Sequence, residues 1–464
     1  MPKIDSYRCK SCGHVFAEPK LYVSAGAKVE TCPFCDGEEI EKFKKIPDEE
    51  ELRAPGEVLE KGLPDTSPEK IEKNKDKNSK YTEIDKKGRF RHLLRMPKMD
   101  QKLLGILLAA TLFFLISFML HNPNAVPSNY SDIISIYNRP EVTARMVPYI
   151  DFNFEHPVLS GLLVYLASLT GSMNGYYYVF CFFIYLSVLV SLIVIYRLLK
   201  EYKMDVNRIF LFCIATPSFI FFSVYTFDWI GIFLGFLSIY FFMKKRIFIS
   251  AIFLGLAIAT RIIPILFLPV FFLNMKDWRK RILFLSIVAV VWLIPNSYFM
   301  VKNFDGWSAT YISQFGLGIE NSFLIFFFPQ VGAGSHYASV LLMLMFTILI
   351  IKTKLYKNVL LGCLAFTLAF MISSYKVPPQ YALMLLPLLT LVPVVEPPLF
   401  YTSEFFNLMI TLIFFSSFAG ENGFGSASPV QWVNVLRQGI WVIFLIKIFI
   451  NQKNLINSSK PNIP

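Results

Sequence analysis

From about residue 101 onward the chain is a succession of apolar runs separated by short polar interruptions. The first run, Leu103–Leu120, has the length of a bilayer-spanning helix, for which about 20 apolar residues suffice, and comparable runs recur almost to the C-terminus. Taken as helices they thread into about 12 spans. Within that threading, 247–260 and 262–274 form a tight helical hairpin around Arg261 and Pro264, and 319–328 is expected to be re-entrant. The run 158–170 is short for a span and ends at Gly171-Ser172-Met173-Asn174-Gly175. If it crossed, Arg197, Lys200, Lys203 and Arg208 would be placed outside, against the excess of Lys and Arg on inner loops. It is therefore expected to lie along the outer face, with 176–197 as the second span. The fold class expected is an all-α polytopic membrane protein.

The polar positions then separate by side. Lys244-Lys245-Arg246, Lys276 with Arg279-Lys280-Arg281, and Lys352, Lys354 and Lys357 fall inside, where topology alone explains them. Outside fall isolated charges among aromatics: Asp132 in Tyr130-Ser131-Asp132, Arg139, Arg145, and Asp151 and Glu155 in the segment 148–157. Asp228, Arg261 and Lys376 join them on that face. Ionisable groups at a membrane boundary are costly to hold, so a cluster on one face marks a candidate functional site.

Residues 1–100 follow a different pattern. Cys9-Lys10-Ser11-Cys12 and Cys32-Pro33-Phe34-Cys35 are paired C-x2-C knuckles, a spacing that sets four thiolates around one structural zinc. The segment is read as a zinc ribbon over residues 1–46, with a short hairpin at Leu21–Glu30 between the knuckles. Residues 47–100 are a charged linker with the composition of a disordered tether. Its basic end, Arg89 to Lys98, suits the anionic inner surface of a membrane and sets the N-terminus on the cytoplasmic side. Residues 101–455 form the transmembrane domain. No apolar run occurs in the first 20 residues, so no cleavable signal peptide is expected.

Composition agrees with this division. The 464 residues are 55% hydrophobic and 17% charged, with a mean hydropathy of +0.50, whereas soluble domains carry about 25% charged residues. The net charge of +12 is accounted for by the inner loops, so no nucleic-acid partner is expected. The bilayer itself is the main partner implied, in the cell membrane or, for a eukaryotic chain, the endoplasmic reticulum. Cys181, Cys213 and Cys363 lie within apolar runs and read as small packing groups.

The order of the outer motifs resembles the GT-C glycosyltransferases, polytopic enzymes that use lipid-phosphate sugars, and in particular glycosyltransferase family 87 and the mannosyltransferase that begins GPI anchors. The residues that carry the resemblance are Tyr130-Ser131-Asp132, Pro148 to Pro157, Asp228, Thr260-Arg261 with Pro264, and Lys376-Val377 with Gln380-Tyr381, covering roughly residues 100–400. His156 departs from the usual Tyr, Val158 from a second Pro, and Arg261 from the usual Lys; the zinc ribbon lies outside the family pattern. The resemblance implies an inverting hexosyltransferase, first of all a mannosyltransferase, using a polyprenyl-phosphate donor and a lipid or glycan acceptor at the outer or lumenal face.

That chemistry needs a base for the acceptor hydroxyl, positive charge for the leaving phosphate and an apolar groove for the lipid. Asp132 is the base implied, since the family keeps its catalytic carboxylate just beyond the first span; a helix N-cap is its bland alternative. Asp151 and Glu155 would share one face if helical and bind sugar hydroxyls, or else pair with Arg139 or Arg145. Asp228 is a further substrate-binding carboxylate. Arg261 and Lys376 would receive the phosphate, Lys376 alternatively snorkelling to the interface. Gln380 and Tyr381 would hydrogen-bond sugar or phosphate. No obligatory catalytic metal is expected, although two carboxylates and a phosphate could hold Mg2+ or Mn2+. A cytoplasmic protein is the partner suggested for the ribbon. The rival class is a transporter or flippase of lipid-linked sugars, against which stand the lack of an internal repeat and the gathering of charges at one face rather than the midplane.

Overall fold

The computed structural model describes short strands within residues 6–43 and, but for 127–129, 317, 329 and 417–422, all of residues 100–452. The chain divides into two compact units, Met1–Arg95 and Met96–Pro464.

In the first unit the strand Ser6–Cys9 pairs antiparallel with Val15–Phe16 and with Ile40–Phe43. Strands Lys20–Ser24 and Ala27–Thr31 form a hairpin with Leu21 opposite Glu30, at the place expected for one. Cys12, Cys32 and Cys35 lie outside the described residues, as do 47–99, so the zinc and linker expectations fall there.

The second unit is helical. Five helices are long and apolar enough to cross a membrane: Gln101–His121, Met173–Glu201, Trp278–Lys302, Ala333–Lys352 and Pro429–Ile450. They make this unit a multi-pass membrane protein. Six further apolar helices are shorter; of the about 12 spans expected, some of them short, five are long enough by themselves. Ile247–Thr260 has 14 residues and so rises about 21 Å at roughly 1.5 Å per residue, short of a hydrocarbon core about 30 Å thick. It ends at Arg261, whose extended backbone breaks the helix. Val158–Ser168 has 11 residues and does not span by itself. The 319–328 segment holds only a single turn, Phe323–Phe326.

Short helices are tolerated where neighbours cover them. All ten residues of Ala382–Leu391 are buried, whereas Ala333–Lys352 buries only Ser335 and Ile350 and turns Val340, Leu341, Leu344 and Ile348 outward. That uncovered apolar face needs a non-aqueous solvent. Gly255 lets two helices approach closely: a Cβ there would lie 2.9 Å from the Val288 carbonyl oxygen. Cys181, Cys213 and Cys363 are buried free thiols, in keeping with packing roles.

One polarity runs through the helices. Gln101–His121 begins at Asp100, which pairs with Lys200, and ends at His121, whose ring packs on Tyr225. Asp228–Met243 runs from Asp228 to Lys244, and Lys244 pairs with Glu201 at the end of Met173–Glu201. Ile247–Thr260 runs from Arg246 to Arg261, and Val359–Ser373 starts beyond Lys357 and ends before Lys376. Basic loops thus occupy one set of helix ends, and isolated charges occupy the other.

Candidate active site

The second set of ends encloses a cavity of about 630 Å³. Asp132, Glu155, Asp228, Arg261, Lys376, Gln380 and Tyr381 line it, from segments up to about 250 residues apart in sequence, together with Tyr130, Arg139, His156 and Glu320. Ile410, Phe414, Phe415 and Phe424 add apolar lining.

Asp132 is the first residue of the short helix Asp132–Tyr137. The capping task falls to Ser131, whose hydroxyl accepts from the Ile134 amide at 3.2 Å. The Asp132 side chain is therefore not spent on the cap, while its amide is tied to the Tyr225 carbonyl at 2.9 Å. Burial, and then the neighbouring Asp228 charge, push its carboxyl up to about 7, with Arg261 opposing.

Glu155 is held otherwise. Arg139 grips it with both guanidinium nitrogens, and the Arg139 pairing and nearby positive charge outweigh burial to hold its carboxyl down at about 2. Asp151 is not in the cavity: it is exposed, and its carboxylate accepts from the Val147 amide at 2.7 Å. The expected shared acidic face is absent because the segment is not helical. Tyr149 has a φ of 69°, and Pro157 ends the stretch. The Tyr149 hydroxyl donates to the carbonyls of His156 and Pro157 at 2.7 and 3.0 Å and fills the space beside Gly161, where a Cβ would lie 2.1 Å from it. This loop is thereby set rigidly against the helix Val158–Ser168.

Arg261 is the most constrained charge. Its Nε lies 2.6 Å from Asp228, one terminal nitrogen 2.9 Å from His156 Nδ1 and the other 2.9 Å from the Thr226 hydroxyl. The guanidinium also lies over the Phe227 ring, 4.3 Å from its centre, a favourable cation–π arrangement when desolvated. Gly231 makes room for it: a Cβ there would come within 2.8 Å of the Arg261 Cβ. Lys376 is looser, with its ammonium 3.7 Å from Glu320. Backbone bonds join their segments, Glu320 amide to Tyr375 carbonyl at 3.0 Å and Val377 amide to Glu320 carbonyl at 2.8 Å. Burial raises the Glu320 carboxyl, against the pull of Lys376.

Three contributors were not among the expected site residues. Glu320 carries the same signal that marked Asp228, a lone acid between apolar runs. His156 was visible as a member of the polar loop 148–157 and as a departure from the family pattern, without a role of its own. Arg437, fully buried within the last long helix, donates to Asn407 Oδ1 at 2.6 Å and to the Val377 carbonyl at 2.8 Å. It thus braces the Lys376 segment from behind; a charge inside a span was its available signal. Among the described residues no group of three or more potential metal ligands comes together.

A helical membrane protein with a cavity lined by paired acids and bases and by aromatic residues has the makings of an enzyme site. The profile of glycosyltransferase family 87 matches residues 154–397, more than half of the chain, and the chain belongs to that family: it is a glycosyltransferase. No curated protein matches it. The matched segment holds Glu155, His156, Asp228, Arg261, Glu320 and Lys376, while Asp132, Arg139 and Arg437 come from the flanks.

Proposed function

We propose that the protein transfers a hexose, mannose in the first instance, from a polyprenyl-phosphate donor to a hydroxyl of a lipid or glycan acceptor, at the outer or lumenal face of the membrane. One observation carries the base assignment. Of the four cavity carboxylates just described, Glu155, Asp228 and Glu320 each have a cationic partner within 4 Å, and Asp132 has none among the described residues. An unpaired carboxyl raised to about 7 suits proton transfer near neutral pH.

In the proposed step the acceptor hydroxyl oxygen attacks the anomeric carbon and passes its proton to Asp132. The bond from that carbon to the phosphate oxygen breaks, and its electron pair leaves with the polyprenyl phosphate. A single displacement inverts the anomeric centre. Lys376, loosely held, moves to the departing phosphate, and Arg261 supplies fixed positive charge, a contribution that is often the largest catalytic term. Gln380 and Tyr381 hydrogen-bond sugar or phosphate, and the Phe414, Phe415 and Phe424 side chains take the first part of the lipid. This chemistry is read without a catalytic metal.

The proposed orientation sets residues 1–100 and the basic loops on the cytoplasmic side, with the shorter helices completing about 12 crossings. For the N-terminal unit, the knuckle spacing supports one structural zinc on Cys9, Cys12, Cys32 and Cys35, on a module suited to a cytoplasmic protein partner. The deciding experiment supplies membranes containing the protein with radiolabelled polyprenyl-phosphate mannose, glucose or arabinose and follows label into lipid or glycan. Transfer from none of the three would refute the donor class.

A further inference from the structure

His156 makes a hydrogen bond that fixes its protonation. Its Nδ1 lies 2.9 Å from a terminal nitrogen of Arg261, and a guanidinium can only donate. Nδ1 must therefore accept, which leaves the ring proton on Nε2. The ring cannot turn freely, being wedged edge-on against Phe154 and Phe227 at 5.3 and 5.0 Å between centres. Protonating Nδ1 would oppose it to Arg261. The other charges facing the ring are the Arg139–Glu155 pair and Lys376, and burial followed by the Arg261 charge holds the imidazole down at about 3.

The Nε2–H is the unused end. Among the described residues it makes no hydrogen bond, and its nearest carboxylate oxygen, Glu155 Oε1, is 3.9 Å away, too far for a direct bond. A fixed donor facing a fixed acceptor across such a gap is the complement of a group that both accepts and donates, and a hydroxyl is such a group. A phosphate diester oxygen cannot donate and would meet the Glu155 charge.

We propose that His156 Nε2–H and Glu155 together read a hydroxyl of the transferred sugar, making His156 a specificity-determining residue. This rests on the glycosyl-transfer reading above. Arg261 then acts twice, as a charge in the cavity and as the clamp that selects the histidine tautomer.

Two substitutions separate the ends of the ring. Glutamine can present an N–H near the Nε2 position but loses the Nδ1 acceptor. Asparagine keeps an acceptor near Nδ1 and loses the far donor. With polyprenyl-phosphate mannose as the probe, His156→Gln should stay within about tenfold of wild type in kcat/KM. His156→Asn should lose about a hundredfold or more, a size expected when a site built to bond a hydroxyl leaves its polar groups unpaired. If Asn equals or exceeds Gln, or both lose equally, the ring serves only to hold Arg261 and the proposal falls. A readout free of turnover uses 15N-histidine NMR of the wild-type protein in nanodiscs, with His156→Gln identifying the resonance. The expected signature is a bare Nδ1 and protonated Nε2 that persist to pH 5; titration near 6 to 7 would overturn it. Should wild type transfer none of the three sugars, the donor reading fails while the NMR result still decides the tautomer.

Discussion

The two ends of the helices hold their charges under opposite conditions. At the basic end, Lys200–Asp100, Lys244–Glu201 and Lys447–Glu396 are largely solvent-exposed pairs. Such pairs contribute little to stability, and their placement is accounted for by topology. At the cavity end the charges are mostly buried and individually tethered, and Arg261 touches a carboxylate, an imidazole, a hydroxyl and an aromatic face. Holding charges in that way costs desolvation, which position alone does not explain but binding does. Within the cavity the contrast recurs, since Arg261 has several close partners and the Lys376 ammonium, among the described residues, pairs only with Glu320, at 3.7 Å.

The largest break in this comparison should come at Asp132. Asp132→Asn keeps shape and hydrogen-bonding capacity at the start of the helix but removes the base, so transfer should fall by about a thousandfold or more, with insertion and melting temperature unchanged. The pH profile gives a second check. A carboxyl raised to about 7 is protonated, and unable to take a proton, below that pH; wild-type transfer should therefore rise with pH through a midpoint near 7. The residual activity of the variant should lack that rise. Near-normal turnover in Asp132→Asn would remove the base assignment.

Reciprocal exchanges sharpen the contrast between these two cations. Arg261→Lys cannot reproduce three directed contacts from one ammonium, and kcat should drop about a hundredfold, the scale of losing one oriented charge-stabilising group. Lys376→Arg keeps a positive charge and should cost less than about tenfold, while Lys376→Ala should approach the Arg261→Lys loss. Equal tolerance at both positions, measured as kcat under saturating donor, would erase the distinction.

The sequence made the charged face legible for a physical reason. Isolated ionisable residues between apolar runs are rare enough that Asp132, Asp228, Arg261 and Lys376 stood out, and all four line the cavity. Asp151 stood out equally, but whether a loop carboxylate faces a cavity depends on turn geometry, here set by Tyr149 at φ 69°. Helix lengths were hidden because apolar runs report burial, not the medium that buries them. Ala382–Leu391 is covered by protein and Ala333–Lys352 is largely uncovered, yet both are apolar runs in the sequence. The role of His156, though not the residue, was hidden because it depends on a partner 105 residues away.

The smallest effect belongs to the basic end. Asp100 accepts from the Lys102 amide at 3.0 Å and from the Tyr196 hydroxyl at 2.6 Å, and pairs with Lys200. Lys200 and Tyr196 hold its carboxyl down at about 2, so it is ionised across the working range and the pair is fully formed there. Asp100→Asn retains one oxygen for the Lys102 amide, its NH2 can donate to the Tyr196 hydroxyl oxygen instead of accepting from it, and Asn caps helices about as well as Asp; the exposed ion pair is the main loss. Turnover, pH midpoint and melting temperature should all match wild type. A change in the pH midpoint would show that charge at this end reaches Asp132 through the helix Gln101–His121, and the division between topological and chemical charges would then have to be redrawn.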